Sequence, residues 1–216
     1  MRTETNPSED SLDLPVIVLA SSSPRRREML KSAGIDHRVQ PAQIDDGELQ
    51  PGDSTNADQW VAALAYLKAI SSSRLLQSDQ LGELVDGPIV VIGADTVCVL
   101  DGQIIGQPRD RDHAREIIIM MSGATHEVLT GVAILEPKGD RRELFVDRSV
   151  VTVGEIPADQ IELYLDSMLW EGKAGAYNIS ERLAAGWPIE FTGDENSIVG
   201  LPLSRVVQCV STFYLD

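Results

Sequence analysis

The hydrophobic positions of the chain fall into two kinds of segment, short apolar runs and stretches with helical periodicity. The run over 88–100 is apolar at nearly every position, which is typical of a strand that is covered on both faces. Segments 126–135 and 142–153 alternate instead, and a turn joins them, so they predict an antiparallel pair. Further short strands are predicted at 15–20, 35–39, 103–105 and 188–191.

Helical patterns lie between these strands, and the combination predicts an α/β fold. The first helix is expected over 24–33, because Ser23 is a good N-cap, Pro24 suits the first helical position and Gly34 suits the end. Four more helices are predicted, over 56–76, 110–121, 157–168 and from about 203 onward. Residues 1–14 are polar and acidic, so we expect a disordered extension before a single domain over 15–216.

Three consecutive arginines, Arg25, Arg26 and Arg27, occupy the first turn of the first predicted helix. Cations there oppose the helix dipole, at about 0.3–1 kcal/mol each. A bound polyanion would remove the conflict, because serine hydroxyls, free N–H groups and guanidinium groups all suit phosphate oxygens. The alternative is a surface cluster paired with Glu28 and its neighbours. If the arginines serve a ligand, removing Arg25 or Arg26 should leave the stability of the unliganded protein equal or slightly higher.

Composition limits the partners and the setting of the protein. The 216 residues carry a net charge of −16, which argues against a nucleic acid polymer as ligand, although the arginines could meet a small phosphate compound locally. No apolar run approaches the ~20 residues of a membrane span, so we expect no membrane partner. Cys98 and Cys209 lack metal-binding spacing, which favours a reduced, cytoplasmic setting.

Asp95 interrupts the longest apolar strand. A carboxylate is costly to bury unless it is paired, ligated or protonated, so Asp95 is either a catalytic or metal-binding group or part of a structural salt bridge. Gly93, two residues earlier, would allow another backbone or a ligand to approach closely. Lys68 lies at the edge of the apolar face of helix 56–76, where it could extend to solvent or point at an anion in a cleft.

Two loops are open to a structural and a functional interpretation. The acidic loop that includes Asp45 and Asp46 is either a solvated segment or a source of oxygen ligands for Mg²⁺. The loop 171–177 is rich in small residues and contains Lys173, so it is either a site of tight backbone packing or the border of a cleft.

Five motifs occur in the order typical of one family. They are Ser21-x-Ser23-Pro24-Arg25-Arg26, Gly93-Ala94-Asp95-Thr96-Val97, Ser122-Gly123-x-x-His126-x-Val128-x-Thr130-Gly131-Val132, Lys173-Ala174-Gly175-Ala176-Tyr177 and Val199-Gly200-Leu201-Pro202. Over about residues 16–210 the chain resembles the Maf proteins, a family of nucleoside triphosphate pyrophosphatases that are also called septum formation inhibitors.

The resemblance implies hydrolysis of a nucleoside triphosphate to the monophosphate and pyrophosphate, with a divalent cation, Mg²⁺ or Mn²⁺. It implies a Maf/ITPase-like α/β fold, in which an elongated, curved mixed β-sheet is flanked by helices and a central cleft separates two lobes. It also implies a homodimer.

The resemblance assigns roles to individual residues as well. Asp95 matches the catalytic acidic residue and a metal ligand, with Asp46 as a possible second ligand. Lys68 matches the lysine of the family's Leu-Ala-x-x-Lys-Ala segment. The phosphate-binding loop is matched by Ser21, Ser23, Arg25 and Arg26. Thr96 matches a position that sets base preference, as Arg25 does, and a threonine there resembles the branch that acts on dTTP and UTP.

Three positions depart from the family pattern. Asp46 replaces a glutamate and could still hold a metal if its loop moved inward. Gln107 replaces a lysine. The glutamine keeps a hydrogen-bonding contact to the substrate, but the replacement removes a positive charge near the phosphates. Ser180 replaces a glutamine and so removes a contact to the base. The function predicted is therefore hydrolysis of dTTP, UTP or modified nucleotides, with a catalytically weakened nucleotide-binding regulator of cell division as the alternative.

Overall fold

The computed structural model describes residues 15–44, 49, 51–52, 55–78 and 88–215, so the extension predicted over 1–14 lies outside the described part of the chain. The strands are β1 (Val16–Leu19), β2 (His37–Val39), β3 (Ile89–Leu100), β4 (Gln103–Ile105), β5 (Thr125–Leu135), β6 (Arg142–Val153) and β7 (Ile189–Thr192). The helices are α1 (Pro24–Ser32), α2 (Ala57–Ser78), α3 (Arg111–Met121), α4 (Ala158–Asp166), α5 (Ile179–Ala184), α6 (Glu195–Val199) and α7 (Leu203–Leu215), with a 3₁₀ turn at Ala174–Ala176.

The described strands form one mixed sheet in the order β2-β1-β3-β5-β6-β7, with β4 also paired to β3. Strand β1 runs parallel to β2 and β3, whereas β3, β5, β6 and β7 pair antiparallel in that order. In the central ladder Asp95 lies opposite Gly131, and Thr96 lies opposite Thr130. The predicted α/β fold with a mixed sheet flanked by helices is confirmed.

The buried apolar side chains divide the molecule into two lobes. In the first lobe Leu19 and Ile92 pack with α1 and α7 on one face of the sheet, while Val91 packs with α2 on the other face. In the second lobe α3, α4 and the 170–189 segment pack around residues such as Ile118 and Leu165. The long strands β3, β5 and β6 contribute to both lobes and join them.

Helix α2 lies unusually close to the sheet because glycines face it. A Cβ atom added at Gly93 would lie 2.3 Å from the Ala65 carbonyl oxygen, and one added at Gly131 would lie 2.5 Å from the Val61 carbonyl oxygen. Both contacts are with helix backbone, so a larger residue at either position would push α2 outward. The expectation that Gly93 allows close approach of another backbone is confirmed, and this approach places Lys68 above β3.

Two short helices differ from the sequence prediction. Helix α6 is not among the helices predicted from the sequence, and it begins after Asp194, whose side chain accepts a hydrogen bond from the Asn196 N–H. Helix α5 was not predicted, although Asn178 caps it by accepting from the Glu181 N–H. Both helices are shorter than two turns, so neither shows a clear apolar period. No helix in the described ranges is long and apolar enough to cross a membrane.

Candidate active site

A cleft of about 560 Å³ opens between the two lobes. The first lobe contributes the serine loop after β1, the start of α1, and Lys68 from α2. The second lobe contributes the segment that runs from Glu171 to Ile179. Strand β3 crosses the floor with Asp95, Thr96 and Cys98. Loop 171–177 therefore borders the cleft, which is one of the two interpretations open from its sequence.

The start of α1 is built as its sequence predicts. Ser23 is the N-cap, with its Oγ accepting from the Arg26 N–H, and Pro24 occupies the first turn. The three following arginines diverge: Arg26 turns inward and is buried, Arg25 lines the cleft, and Arg27 is exposed and faces a different groove. Only two of the three guanidinium groups therefore face the cleft.

Arg26 is held by neighbours from three parts of the chain. Its Nε donates to the Gly200 carbonyl at 2.8 Å, its Nη1 to Ser21 Oγ at 3.3 Å, and its Nη2 to Thr96 Oγ1 at 3.2 Å. These bonds give Arg26 a structural role in the unliganded protein as well. For Arg26 the structure therefore favours a loss of stability on removal, in place of the equal or slightly higher stability expected from the sequence, because buried acceptors would lose their donor.

Arg25 reaches across the cleft instead. Its Nη2 donates to the Gly172 carbonyl at 3.3 Å, and this contact joins the first turn of α1 to the loop of the opposite lobe. The contact is solvent-exposed, so it contributes little to stability. Arg25 is thus a cation at the mouth of the cleft, with weak constraints on its position.

Lys68 and Asp95 form an ion pair inside the cleft. The Lys68 Nζ lies 2.5 Å from Asp95 Oδ1, and both side chains are about seven-eighths buried, with exposed fractions of 14% and 13%. Helix α2 can bring the lysine there because Gly93 lets it approach β3 closely. Of the alternatives open for Asp95, the salt bridge is present, and the pair also lines the cleft, where its carboxylate could meet a substrate or a cation.

A second ammonium group lies on the opposite wall. Lys173 is 6% exposed, and its Nζ lies 2.5 Å from Glu181 Oε2. Burial lowers the pKa of Lys173 from its usual value, while the Glu181 carboxylate partly offsets this effect. The sequence motif marked this loop, but its apolar surroundings gave no signal that the lysine would be buried and paired.

Packing behind that wall fixes the shape of the 171–178 loop. Gly175 has φ +67°, and a Cβ there would lie 2.7 Å from Cys98 Sγ, so only glycine fits. The Tyr177 hydroxyl and His126 Nε2 are 3.0 Å apart. Burial lowers the pKa of His126 to about 4 and raises that of Cys98 to about 12, so both side chains are neutral near pH 7.

The remaining predicted residues occupy different places. Ser21 and Ser23 line the cleft beside the arginines, Thr96 lies on its floor, and Gln107 is exposed at its rim. Ser180 is not among the residues lining the cleft; it is exposed, and its hydroxyl donates to Glu195 Oε1 at 3.0 Å. Its neighbours Asn178 and Ile179 do line the cleft. The predicted metal ligand Asp46 lies outside the described residues.

The described residues offer one central oxygen ligand for a divalent cation. No group of three His, Cys, Asp or Glu side chains converges in the part of the chain that the structure describes. Mg²⁺ usually takes one or two protein carboxylates and completes its shell with water and substrate phosphates. Asp95, a carboxylate on the floor of a cleft with arginines and serines nearby, fits that mode of binding.

Comparison with known proteins gives consistent results. A model of the Maf-like protein family matches residues 16–213. The dTTP/UTP pyrophosphatase of Alkalilimnicola ehrlichii is 37% identical over 202 residues, which cover 94% of this chain and 95% of that protein. The dTTP/UTP pyrophosphatase of Rhodopirellula baltica is 34% identical over 208 residues, covering 96% of this chain and 86% of that protein.

Among solved structures, the Staphylococcus aureus Ham1 protein covers 63% of this chain and 71% of its own, with 12% identity and a TM-score of 0.40. That likeness is too low to inform the site. The family match and the two pyrophosphatases span almost the whole described chain, from β1 to α7. By these matches, the chain belongs to the Maf family.

Proposed function

We propose that this protein is a nucleoside triphosphate pyrophosphatase, which hydrolyses its substrate to the nucleoside monophosphate and pyrophosphate. The observation that carries the proposal is the Lys68–Asp95 pair facing the serine and arginine loop across one cleft. The activity named for the Alkalilimnicola and Rhodopirellula relatives supports the same reaction.

The reaction requires positioning and charge neutralisation more than covalent chemistry. A water attacks the α-phosphorus while pyrophosphate leaves, so negative charge moves onto the leaving group. Arg25, Arg26 and Lys68 would offset the charge of the triphosphate, and the hydroxyls of Ser21 and Ser23 would donate to its oxygens. Gln107, at the rim, would add a neutral hydrogen bond.

Asp95 is the proposed catalytic residue. Its carboxylate would accept a proton from the attacking water or hold a cation, and Lys68 fixes its orientation. A Mg²⁺ or Mn²⁺ ion bound there, with Asp46 as a possible second ligand, would polarise the phosphate. The residues of the chain would meanwhile bind the phosphates, orient them and hold the proton of the water.

The substrate class proposed is dTTP and UTP, in line with the relatives. Asn178 supports this choice, because it is a buried amide that lines the cleft in the second lobe, and its side-chain NH₂ group can donate to a carbonyl oxygen of the base. Its side-chain oxygen also caps α5, which leaves the amide N–H group better placed for a ligand. Ser180 is a less suitable base contact, since it lies outside the cleft lining.

We further propose that the protein acts in the cytoplasm as a homodimer. Both cysteines are free thiols, which agrees with a reduced compartment. Sedimentation analysis tests the oligomeric state directly.

The test of the proposed function is product analysis on purified protein. The eight canonical ribo- and deoxyribonucleoside triphosphates, together with modified ones, are incubated with Mg²⁺, with Mn²⁺ or with a chelator. We expect dTMP or UMP and pyrophosphate in a ratio of one to one, and loss of turnover in chelator. Release of inorganic phosphate together with the nucleoside diphosphate would contradict the proposed reaction. Binding of nucleotide without turnover would favour the alternative, a nucleotide-binding regulator of cell division.

A further inference from the structure

Thr130 lies beneath the cleft and was part of a family-type motif without any role assigned to it. It is fully buried on β5, directly opposite Thr96 of β3. Its Oγ1 donates to the Ser197 carbonyl at 2.7 Å, and it lies 2.8 Å from Thr96 Oγ1. A buried hydroxyl with two polar partners is a specific arrangement, because each partner would otherwise lose a bond.

Counting protons gives this arrangement a direction. A carbonyl oxygen only accepts, so the single hydroxyl proton of Thr130 goes to Ser197. Thr96 must then donate its own proton to Thr130, and its oxygen accepts from Arg26 Nη2. The result is a chain of donors that runs from Arg26 through Thr96 and Thr130 to the Ser197 carbonyl.

Both ends of this series of hydrogen bonds are connected through α6. Ser197 lies within α6, and Gly200 directly follows that helix. The Gly200 carbonyl accepts from Arg26 Nε at 2.8 Å. Two edges of the Arg26 guanidinium are therefore fixed to the same short segment, one directly and one through two threonine hydroxyls.

We propose that Thr130 is a positioning residue that orients the Arg26 guanidinium toward the triphosphate, acting through Thr96. In this arrangement the Thr96 proton is directed at Thr130, so Thr96 does not donate to a base and serves the same positioning role. The kinetic consequence depends on the proposed pyrophosphatase activity, whereas the orientation of Arg26 does not.

The test compares four single variants and one double variant of the full-length protein. Thr130→Val keeps the shape and removes the hydroxyl, and Thr130→Ser keeps the hydroxyl. Thr96→Val interrupts the series of hydrogen bonds one step nearer Arg26. Thr125→Val is the matched control, because Thr125 forms a similar hydroxyl pair with Thr152, at 2.9 Å, on the same strand but outside the cleft lining.

The first readout is independent of activity. In ¹⁵N-labelled protein without ligand, we expect the Arg26 Nε–H to exchange with solvent roughly tenfold faster in Thr130→Val than in wild type, because one of its restraints is gone. Thr130→Ser and Thr125→Val should keep the wild-type rate. Unchanged exchange in Thr130→Val would overturn the proposal whether or not the protein is an enzyme.

The second readout is steady-state kinetics with dTTP or UTP. We expect Thr130→Val to raise KM roughly tenfold with a smaller change in kcat, and Thr130→Ser to restore the wild-type KM. The double variant Thr96→Val/Thr130→Val should resemble Thr96→Val alone, since both break one chain.

Three kinetic results would contradict the proposal. A lower melting temperature with unchanged KM would mean that Thr130 is only structural. An equal loss in Thr125→Val would point to a general effect on β5. Additive losses in the double variant would mean that Thr130 does not act through Thr96. If wild type turns over no triphosphate, the proposed function fails, and the exchange measurement alone decides the role of Thr130.

Discussion

Arg25 and Arg26 are adjacent in sequence, yet their surroundings differ. Arg26 is buried and bonded to Gly200, Ser21 and Thr96, whereas Arg25 makes one exposed contact to the Gly172 carbonyl. Both oppose the dipole of α1, which has no acidic residue in its first turn. Both arginines line the cleft, but only Arg26 is also held by several hydrogen bonds of the unliganded fold.

The two arginines should separate in a stability measurement. We expect Arg26→Ala to lower the free energy of unfolding by about 1–3 kcal/mol, because buried oxygens lose their donor. Arg25→Ala should stay within about 0.5 kcal/mol of wild type and weaken triphosphate binding. Urea denaturation without ligand provides the comparison. A loss for Arg25→Ala as large as that for Arg26→Ala would mean that the two are structurally equivalent.

At the residue scale, the sequence predicted the local setting of a side chain better than its contacts with distant parts of the chain. Three features follow from local rules and were expected. They are Ser23 as an N-cap, Asp95 in an apolar strand and Lys68 at the edge of a helix. The inward turn of Arg26 and the burial of Lys173 depend on partners more than 100 residues away or on a loop fold, and no local period encodes them. The position of Ser180 outside the cleft belongs to the same class, because it depends on the unexpected helix α5.

At the scale of secondary structure elements, the contact between α2 and the sheet sets the geometry of the site. Gly93 removes the side chain that would separate β3 from α2, and this brings Lys68 within reach of Asp95. The Lys68–Asp95 ion pair therefore requires the short distance between α2 and β3, and this distance depends on Gly93, which has no functional side chain.

Replacing Gly93 should disturb both stability and the site. We expect Gly93→Ala to cost about 1–3 kcal/mol, because its Cβ would collide with the α2 backbone at Ala65. Activity measured where the variant is folded should fall as well, since Lys68 moves with the helix. Gly106→Ala is the control, because a Cβ there meets nothing within 4 Å. If both variants unfold at the same urea concentration, the close approach of α2 to Gly93 does not contribute to stability.

The second inter-element contact is the pair formed by His126 on β5 and Tyr177 after the 3₁₀ turn. His126 is 2% exposed, and its Nδ1 has no hydrogen-bond partner among the described residues. Burial holds its pKa near 4, below the 6.5 of an exposed histidine. Between these values the unfolded chain binds a proton that the folded protein excludes, so stability rises with pH through this window.

Acidification should therefore destabilise the protein partly through His126. From pH 6.5 down to pH 4, this residue should remove about 3 kcal/mol from the free energy of unfolding, at about 1.4 kcal/mol per pKa unit. We expect His126→Gln to show a smaller pH slope than wild type in urea titrations, with His113→Gln as a control at a partly exposed histidine. A slope that is identical in wild type and His126→Gln would show that His126 does not titrate as its burial requires.

At the scale of the whole molecule, the alternation of strands and helices was predictable, and the joining of the two lobes was not. Continuous apolarity in β3 predicted a buried strand, and the two turn-linked segments of β5 and β6 predicted an antiparallel pair, which the sheet contains. The alternation expected for β5 is wrong, because this strand is buried at every position from 128 to 135. The strand order, with β1 parallel to β3, comes from long-range pairing that single-sequence periodicity does not specify. The cleft results from that pairing, because β3 crosses its floor while its walls come from both lobes.

If Asp95 at the floor of the cleft is the catalytic residue, the release of pyrophosphate from dTTP or UTP depends on its carboxylate. The most direct test is pyrophosphate release by wild type, Asp95→Asn and Asp101→Asn with Mg²⁺. Asparagine keeps the size of Asp95 but is a poor base and cation ligand, so we expect a loss of roughly 10²–10⁴-fold in a folded protein.

Asp101 is the matched control in that measurement. It lies in the exposed turn after β3 with φ +50°, a conformation that asparagine tolerates, so Asp101→Asn should keep wild-type turnover. Pyrophosphate release by Asp95→Asn within a few-fold of wild type, at equal thermal stability, would show that Asp95 is not the catalytic residue.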